Sequence, residues 1–165
     1  AGDEAIDRLL IEPALAARSL PSPESSIIDV GSGGGSPAIP LRLVAPSTSL
    51  RMVESKTRKA AFLREAARVL ELERTEVDAV RFEELLARPA LHETLDVVTL
   101  RAVKVEPKTL AALQSFLRVG GLLFLFGTSA NPITDKATPQ LTAMSTQVLL
   151  KQWGSQLQIM QKNSS

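Results

Sequence analysis

The chain has 165 residues, 44% of them apolar and 22% charged, with a net charge of +1; that fits one domain with a real core. So even a balance does not by itself argue for a nucleic-acid partner, and no run reaches the ~20 apolar residues of a membrane helix. The absence of cysteine rules out disulfides and a thiolate metal site, and with one histidine, His92, a zinc site built on histidines is ruled out too.

Ile6, Leu9, Leu10, Leu15, Ala16 and Leu20 recur at helical spacing. Residues 3–20 are therefore expected as helix, divided by Pro13 and ended by Pro21 and Pro23. Ser26–Val30 reads as the first strand, and Pro37 suits the opening turn of a helix running to about Val44. Ser49–Val53 reads as the second strand, followed by a helix from Lys56 to Leu70 with Leu63, Ala66, Ala67 and Leu70 on one face. Glu76–Val80 is the expected third strand, then a short helix over Phe82–Ala87, with His92 on a surface turn. Asp96 opens a fourth strand, Val97–Leu100, and Glu106-Pro107 opens a helix through Leu117. Gly120-Gly121 is expected to turn into a fifth strand, Leu122–Gly127, apolar enough to be buried.

Thr128–Ala143 is polar and interrupted by Pro132 and Pro139, so it reads as a long loop or a weak helix. Gln147–Trp153 and Gln156–Gln161 flank Gly154-Ser155 as a hairpin. Five strand–helix alternations imply a mostly parallel sheet with helices on both faces. The expected class is α/β: a Rossmann-like, seven-stranded sheet finished by an antiparallel hairpin. The organisation is a single domain, with residues 1–24 as a helical lead, 25–127 as a cofactor-binding core, and 128–165 as connection and hairpin.

The junction after the first strand reads Asp29-Val30-Gly31-Ser32-Gly33-Gly34-Gly35-Ser36-Pro37. Glycines belong where backbone takes φ > 0 or a ligand comes close, and the helix start beyond offers free N–H groups. The dinucleotide pattern G-x-G-x-x-G is not met, because Ser36 stands three places after Gly33; Gly33, Gly35 and Ala38 give only the alanine variant. Asp29, two places before Gly31, makes Asp-x-Gly-x-Gly-x-Gly, which resembles the loop of S-adenosylmethionine-dependent methyltransferases. An acid there suits the cationic ammonium of that cofactor, directly or through water. Glu54 closes the second strand and is placed to accept both ribose hydroxyls, which does not separate this cofactor from NAD. The plainer readings are a Gly-rich turn without ligand and a solvated strand end.

The loop through Leu41, with Pro37 and Pro40, resembles that of the bacterial glucose-inhibited division protein B family, small-subunit ribosomal RNA guanine-N7 methyltransferases. Three further stretches are similar: Glu54-Ser55-Lys56-Thr57-Arg58-Lys59-Ala60-Ala61-Phe62-Leu63, Arg81-Phe82-Glu83-Glu84, and Leu100-Arg101-Ala102-Val103. Together they cover most of residues 27–127. The resemblance implies a class I methyltransferase fold using S-adenosyl-L-methionine. Asp29, Gly31, Gly33 and Ser36 would hold the cofactor, and Glu54 its ribose. Phe82 and Glu83 would meet the adenine, and Arg101 would act where cofactor and target base meet. It further implies ribosomal RNA or the small ribosomal subunit as partner, no membrane, a cytoplasmic location, and a monomer in preference to an oligomer.

Departures are Ala38, where the family has glycine, and Glu54, often Asp in the family. The sequence also begins without methionine and after the upstream helices and Asn-Leu-Thr segment of family members. If that region helps hold RNA, a chain lacking it would bind cofactor and yet methylate poorly. No basic stretch precedes an apolar run at its start, so no signal peptide is visible.

Absences narrow the acceptor. Pyrimidine-carbon methylation commonly needs a cysteine nucleophile, and exocyclic amines use an Asn/Asp-Pro-Pro-aromatic run where this chain has Leu100-Arg101-Ala102-Val103. Guanine N7 carries an in-plane lone pair and loses no proton, so alignment is the main requirement. Arg101 can hydrogen-bond the guanine edge, anchor a phosphate, bind the cofactor carboxylate, or form a structural ion pair with Glu83 or Asp96. Basic residues Arg51, Lys56, Arg58, Lys59, Arg64 and Arg68, and a second group of Arg101, Lys104 and Lys108, favour RNA or form a wet helix face. The competing functions are a small-molecule or protein methyltransferase, an NAD oxidoreductase (disfavoured by Asp29 and the hairpin), and a binding module without catalysis.

Overall fold

A computed structural model describes residues 2–101, 105–128 and 138–164. Its centre is one seven-stranded sheet: β1 (Ser26–Val30), β2 (Ser49–Val53), β3 (Thr75–Asp78), β4 (Leu95–Arg101), β5 (Leu117–Thr128), β6 (Leu141–Leu150) and β7 (Ser155–Lys162). The spatial order is β3-β2-β1-β4-β5-β7-β6. The strands from β3 to β5 pair in parallel, and β7 runs antiparallel to β5 and to β6. Strand order reverses across the β1–β4 pair, which opens a crevice at the carboxyl ends of those strands.

Helices cover both faces because side chains on a strand alternate. Ile27, Phe124 and Phe126 face a cluster that includes Ala38, Ile39, Leu41 and Leu63. Those residues come from α3 (Ala38–Val44) and α4 (Thr57–Val69). Ile28, Leu123 and Leu125 face the opposite cluster, with Leu85, Leu110 and Leu113 from α5 (Phe82–Leu86) and α6 (Pro107–Leu113). Each fully buried Phe or Leu is worth roughly 1.5–3 kcal/mol. Among the described residues no helix is long and apolar enough to cross a membrane.

Five expectations are corrected. Pro13 does not divide the N-terminal segment: Gly2–Ser19 is helical throughout, as α1 (Gly2–Ile6), a widened turn over Asp7–Ile11, α2 (Glu12–Ala16) and a tight final turn. In the wide turn the Glu12 N–H donates to the Asp7 carbonyl, five residues back, and Pro13, which has no N–H to place, follows at once.

Gly120-Gly121 lies inside β5, not before it. Gly120 takes φ +81°, and a Cβ on Gly121 would lie 2.9 Å from the Arg118 carbonyl oxygen. The pair marks an irregularity where the register against β4 shifts between Leu95 and Val97. The helix before it accordingly ends early: α6 stops at Leu113 and tightens through Phe116, and Leu117 belongs to the strand.

β3 occupies Thr75–Asp78, which frees Val80 and Arg81 to line the cleft described below. The last strand pair starts earlier than expected, β6 taking up residues 141–143 of the polar stretch. As an edge strand β6 exposes most of its length, so its sequence lacks strict alternation. Residues 129–137 of that stretch, and Ala102, Val103 and Lys104, lie outside the described residues.

Candidate functional site

The loop after β1 is pinned to β2. The N–H groups of Gly31 and Ser32 both donate to the Val53 carbonyl, at 2.9 and 3.1 Å, and the Gly33 N–H donates to Glu54 Oε1 at 3.0 Å. Glu54 is 7% exposed, and its Oε2 accepts the Lys56 N–H at 2.8 Å. The carboxylate thus ties the glycine loop to the start of α4. A carboxylate has about four acceptor positions, and two remain for ligand hydroxyls. Gly35 closes the loop at φ +100°, where a Cβ would sit 2.8 Å from Ile39 Cδ1. That backbone is unfavourable for any L side chain.

Behind the loop Asp29 is 1% exposed. Its Oδ1 accepts the Thr99 hydroxyl at 2.5 Å, while Oδ2 is buried without a partner. Burial pushes its pKa from 3.8 up to about 6; the Thr99 and Ser32 hydroxyls and the Arg101 charge pull the other way. A buried acceptor left open suits a cationic ligand or a bridging water.

The cleft itself has a volume of about 360 Å³ and lies at the carboxyl ends of β1 to β4. Gly31, Glu54, Phe82, Glu83 and Leu100 line it together. That size lies in the range of small-molecule and cofactor sites, about 300–1,000 Å³. Four expected site residues therefore meet around one space; Gly33 is tied to it through Glu54, while the Asp29 side chain lies on the other face of the sheet, with Thr99 and Arg101.

Ser36 and Arg101 stand elsewhere. The Ser36 hydroxyl donates to the Leu9 carbonyl at 2.8 Å, on the N-terminal helical segment. Arg101, at the end of β4, donates from Nη1 to Glu12 Oε1 at 2.8 Å, and from Nη2 to the Arg8 carbonyl at 3.0 Å and to Ser36 Oγ at 3.3 Å. Its guanidinium lies 5.3 Å from the centroid of the Phe126 ring. Neither expected ion-pair partner is used. Asp96 pairs with Arg118 at the other end of β4, five strand steps or ~16 Å away.

Glu12 is 1% exposed and also accepts the Ser155 hydroxyl at 2.7 Å. Glu12 and Thr99 are the functional neighbours that the sequence reading missed. The only trace of Glu12 is an acid set in the apolar run Leu9-Leu10-Ile11. Beside this cluster a second, shallower cleft of about 320 Å³ is lined by Glu4, Ala5, Arg8, Leu9 and Arg101.

The sequence profile described as GidB, rRNA small subunit methyltransferase G, matches residues 2–157. Curated relatives carry the name ribosomal RNA small subunit methyltransferase G. That of Chloroflexus aggregans is 36% identical over 118 residues, covering 72% of this chain and 50% of the relative. That of Rubrobacter xylanophilus is 40% identical over 114 residues, covering 68% and 41%. That of Roseiflexus sp. RS-1 is 46% identical over 87 residues, covering 53% and 37%. The chain spans about half the length, or less, of the curated relatives it matches.

Among solved structures, P. horikoshii TYW2 in complex with MeSAdo superposes with a TM-score of 0.69 at 12% identity, covering 94% of this chain and 63% of that one. TrmN from Thermus thermophilus gives 0.68 at 16% identity, covering 92% and 48%. At those identities the likeness is one of fold, the Rossmann-like sheet found in methyltransferases.

Proposed function

Because the chain belongs to the rRNA small subunit methyltransferase G family, we propose that it transfers the methyl group of S-adenosylmethionine to guanine N7 of small-subunit (16S) ribosomal RNA. The observation that carries this reading is the cleft where Gly31, Glu54, Phe82 and Glu83 converge. Phosphate-free recognition fits that donor set: a carboxylate for ribose hydroxyls, an aromatic beside the adenine, and a buried acid for an ammonium. The cofactor supplies an electrophilic methyl on a sulfonium.

The residues do the rest by position. Glu54 fixes the loop and orients a ribose, and Phe82 and Glu83 take the adenine end. Asp29 attracts the cationic amino group as its own carboxyl gives up a proton. Arg101 borders the shallow cleft beside Leu9, where an acceptor base would enter. There a guanidinium holds a guanine edge or a neighbouring phosphate without abstracting a proton, and N7 requires no base. A ribosomal RNA substrate implies a cytoplasmic protein.

Calorimetric titration with adenosylmethionine, adenosylhomocysteine and NAD tests the cofactor. The first two are expected to bind, and binding of NAD alone overturns the reading. A tritiated-methyl assay on small ribosomal subunits lacking the modification tests the acceptor, with counts expected at guanine; counts at another base or on protein reject the acceptor assignment.

A further inference from the structure

Charge is nearly balanced over the whole chain, yet the ion pairs leave it uneven. Among the described residues about half of the basic side chains have a carboxylate within 4 Å. Of the seven exposed cations that have none, Arg18, Arg64 and Lys151 stand apart, and the other four are Lys56, Arg58, Lys59 and Arg81. All four stand at the carboxyl edge, on the junctions from β2 to α4 and from β3 to α5. Those junctions are neighbours, because β2 pairs with β3 and the Glu54 N–H donates to the Asp78 carbonyl. Arg81 itself lines the cofactor cleft.

The placement runs against helix stability. The N-terminal end of a helix carries partial positive charge and favours acids. α5 obeys this with Glu83 and Glu84 in its first turn; the first turn of α4 has no acid and holds Arg58 and Lys59 instead. Cations set there without partners gather positive potential for an external anion. On the same face, one turn or ~5.4 Å further along, Phe62 is 56% exposed, and Val69, about two turns beyond it, is 62% exposed. An aromatic ring bared beside unpaired cations is what a flexible, anionic, base-bearing strand requires.

We propose that the outer face of α4, with Lys56, Arg58, Lys59 and Phe62, together with Arg81, is a docking strip for single-stranded RNA next to the target nucleotide. The strip rests on the methyltransferase reading above and adds the strand form of the substrate. Paired RNA hides its purine N7 atoms in a deep, narrow major groove that side chains cannot enter. A methyl acceptor at N7 is therefore reached in an unpaired segment, whose bases are free to stack on Phe62. The cations take phosphates and set the strand's path across the cleft rim, and they carry no base preference.

The test is filter binding of small-subunit ribosomal RNA transcribed in vitro, over a range of salt concentrations, with adenosylmethionine calorimetry on every protein. R58A/K59A is expected to weaken RNA binding at least tenfold and to flatten the salt slope by about 1.4, ~0.7 per lost phosphate contact on a single strand. F62A is expected to weaken binding about tenfold with the slope unchanged, and F62W to restore it. Cofactor affinity is expected to stay at the wild-type value in all three. Wild-type RNA affinity and slope in R58A/K59A overturn the strip and leave the methyltransferase reading intact. So does a parallel loss of cofactor affinity, which would mark general damage. A wild-type chain that binds adenosylmethionine but no RNA at any salt overturns the RNA substrate, and the strip with it.

Discussion

Around β1 and β2 the carboxyl edge is held mainly by backbone: two N–H groups on the Val53 carbonyl, and two more on the Glu54 carboxylate. Around β4 it is held by side chains, with Arg101 reaching Glu12 and the Arg8 carbonyl on a segment about ninety residues away in sequence, and Ser36 at the end of the glycine loop. The first arrangement has few alternatives, because glycine conformations and strand register fix it together. The second depends on long side chains that can exchange partners. A donor pocket fixed in advance and an acceptor side able to rearrange would divide binding from transfer.

The largest expected effects test that division. Glu54→Ala is expected to weaken adenosylmethionine binding about 100-fold, ~2.7 kcal/mol, because both backbone donors and the ribose lose their acceptor. Arg101→Ala should leave that affinity within about threefold while lowering methyl transfer by about 100-fold, ~2.7 kcal/mol of transition-state stabilisation. Equal losses of cofactor affinity in the two variants would erase the distinction, and a wild-type transfer rate in Arg101→Ala would remove Arg101 from the reaction.

A middle-sized effect is expected from Glu12→Gln. It keeps the shape and removes the charge opposite Arg101, whose side chain is about a quarter exposed. A loss of about 1–2 kcal/mol in urea unfolding is expected, below the cost of breaking a fully buried pair. No loss would mean that Glu12 does not seat the N-terminal segment.

Asp29 gives the pH test. Its folded pKa, about 6, lies above the unfolded 3.8. Between these values the folded state holds the extra proton, so stability falls as pH rises through that window and is level above it. Asp29→Asn is expected to flatten the fall and to be more stable at pH 7 by on the order of 2 kcal/mol. The same variant should bind adenosylmethionine more weakly, and wild-type affinity should rise from pH 5 to pH 7 as the carboxylate forms. A pH-independent affinity would dissociate Asp29 from the ligand.

Much of the donor side was legible in the sequence because it is local. Ser26–Val30 and Ser49–Val53 are short, mostly apolar runs that the structure keeps residue for residue. The loop between strand and helix declares itself by Gly31, Gly33 and Gly35, which all take positive φ. The acceptor side was legible only in part. Arg101 stood out, but its partner did not, since nothing local links position 101 to position 12. Gly120-Gly121 misled because a glycine pair inside a strand has the same letters as a turn. Pro13 misled because a widened helical turn leaves no mark in residue spacing.

The chain has a single tryptophan. Its indole N–H, at the tip of the hairpin between β6 and β7, donates to Asp7 Oδ2 at 3.0 Å. Trp153 therefore touches the same helical segment that Arg101 grips. Intrinsic fluorescence excited at the indole band becomes an optical gauge of whether that segment is seated, free of any other emitter of its kind. Titrating ligand while watching one emission maximum would report the lifting of the segment without a label.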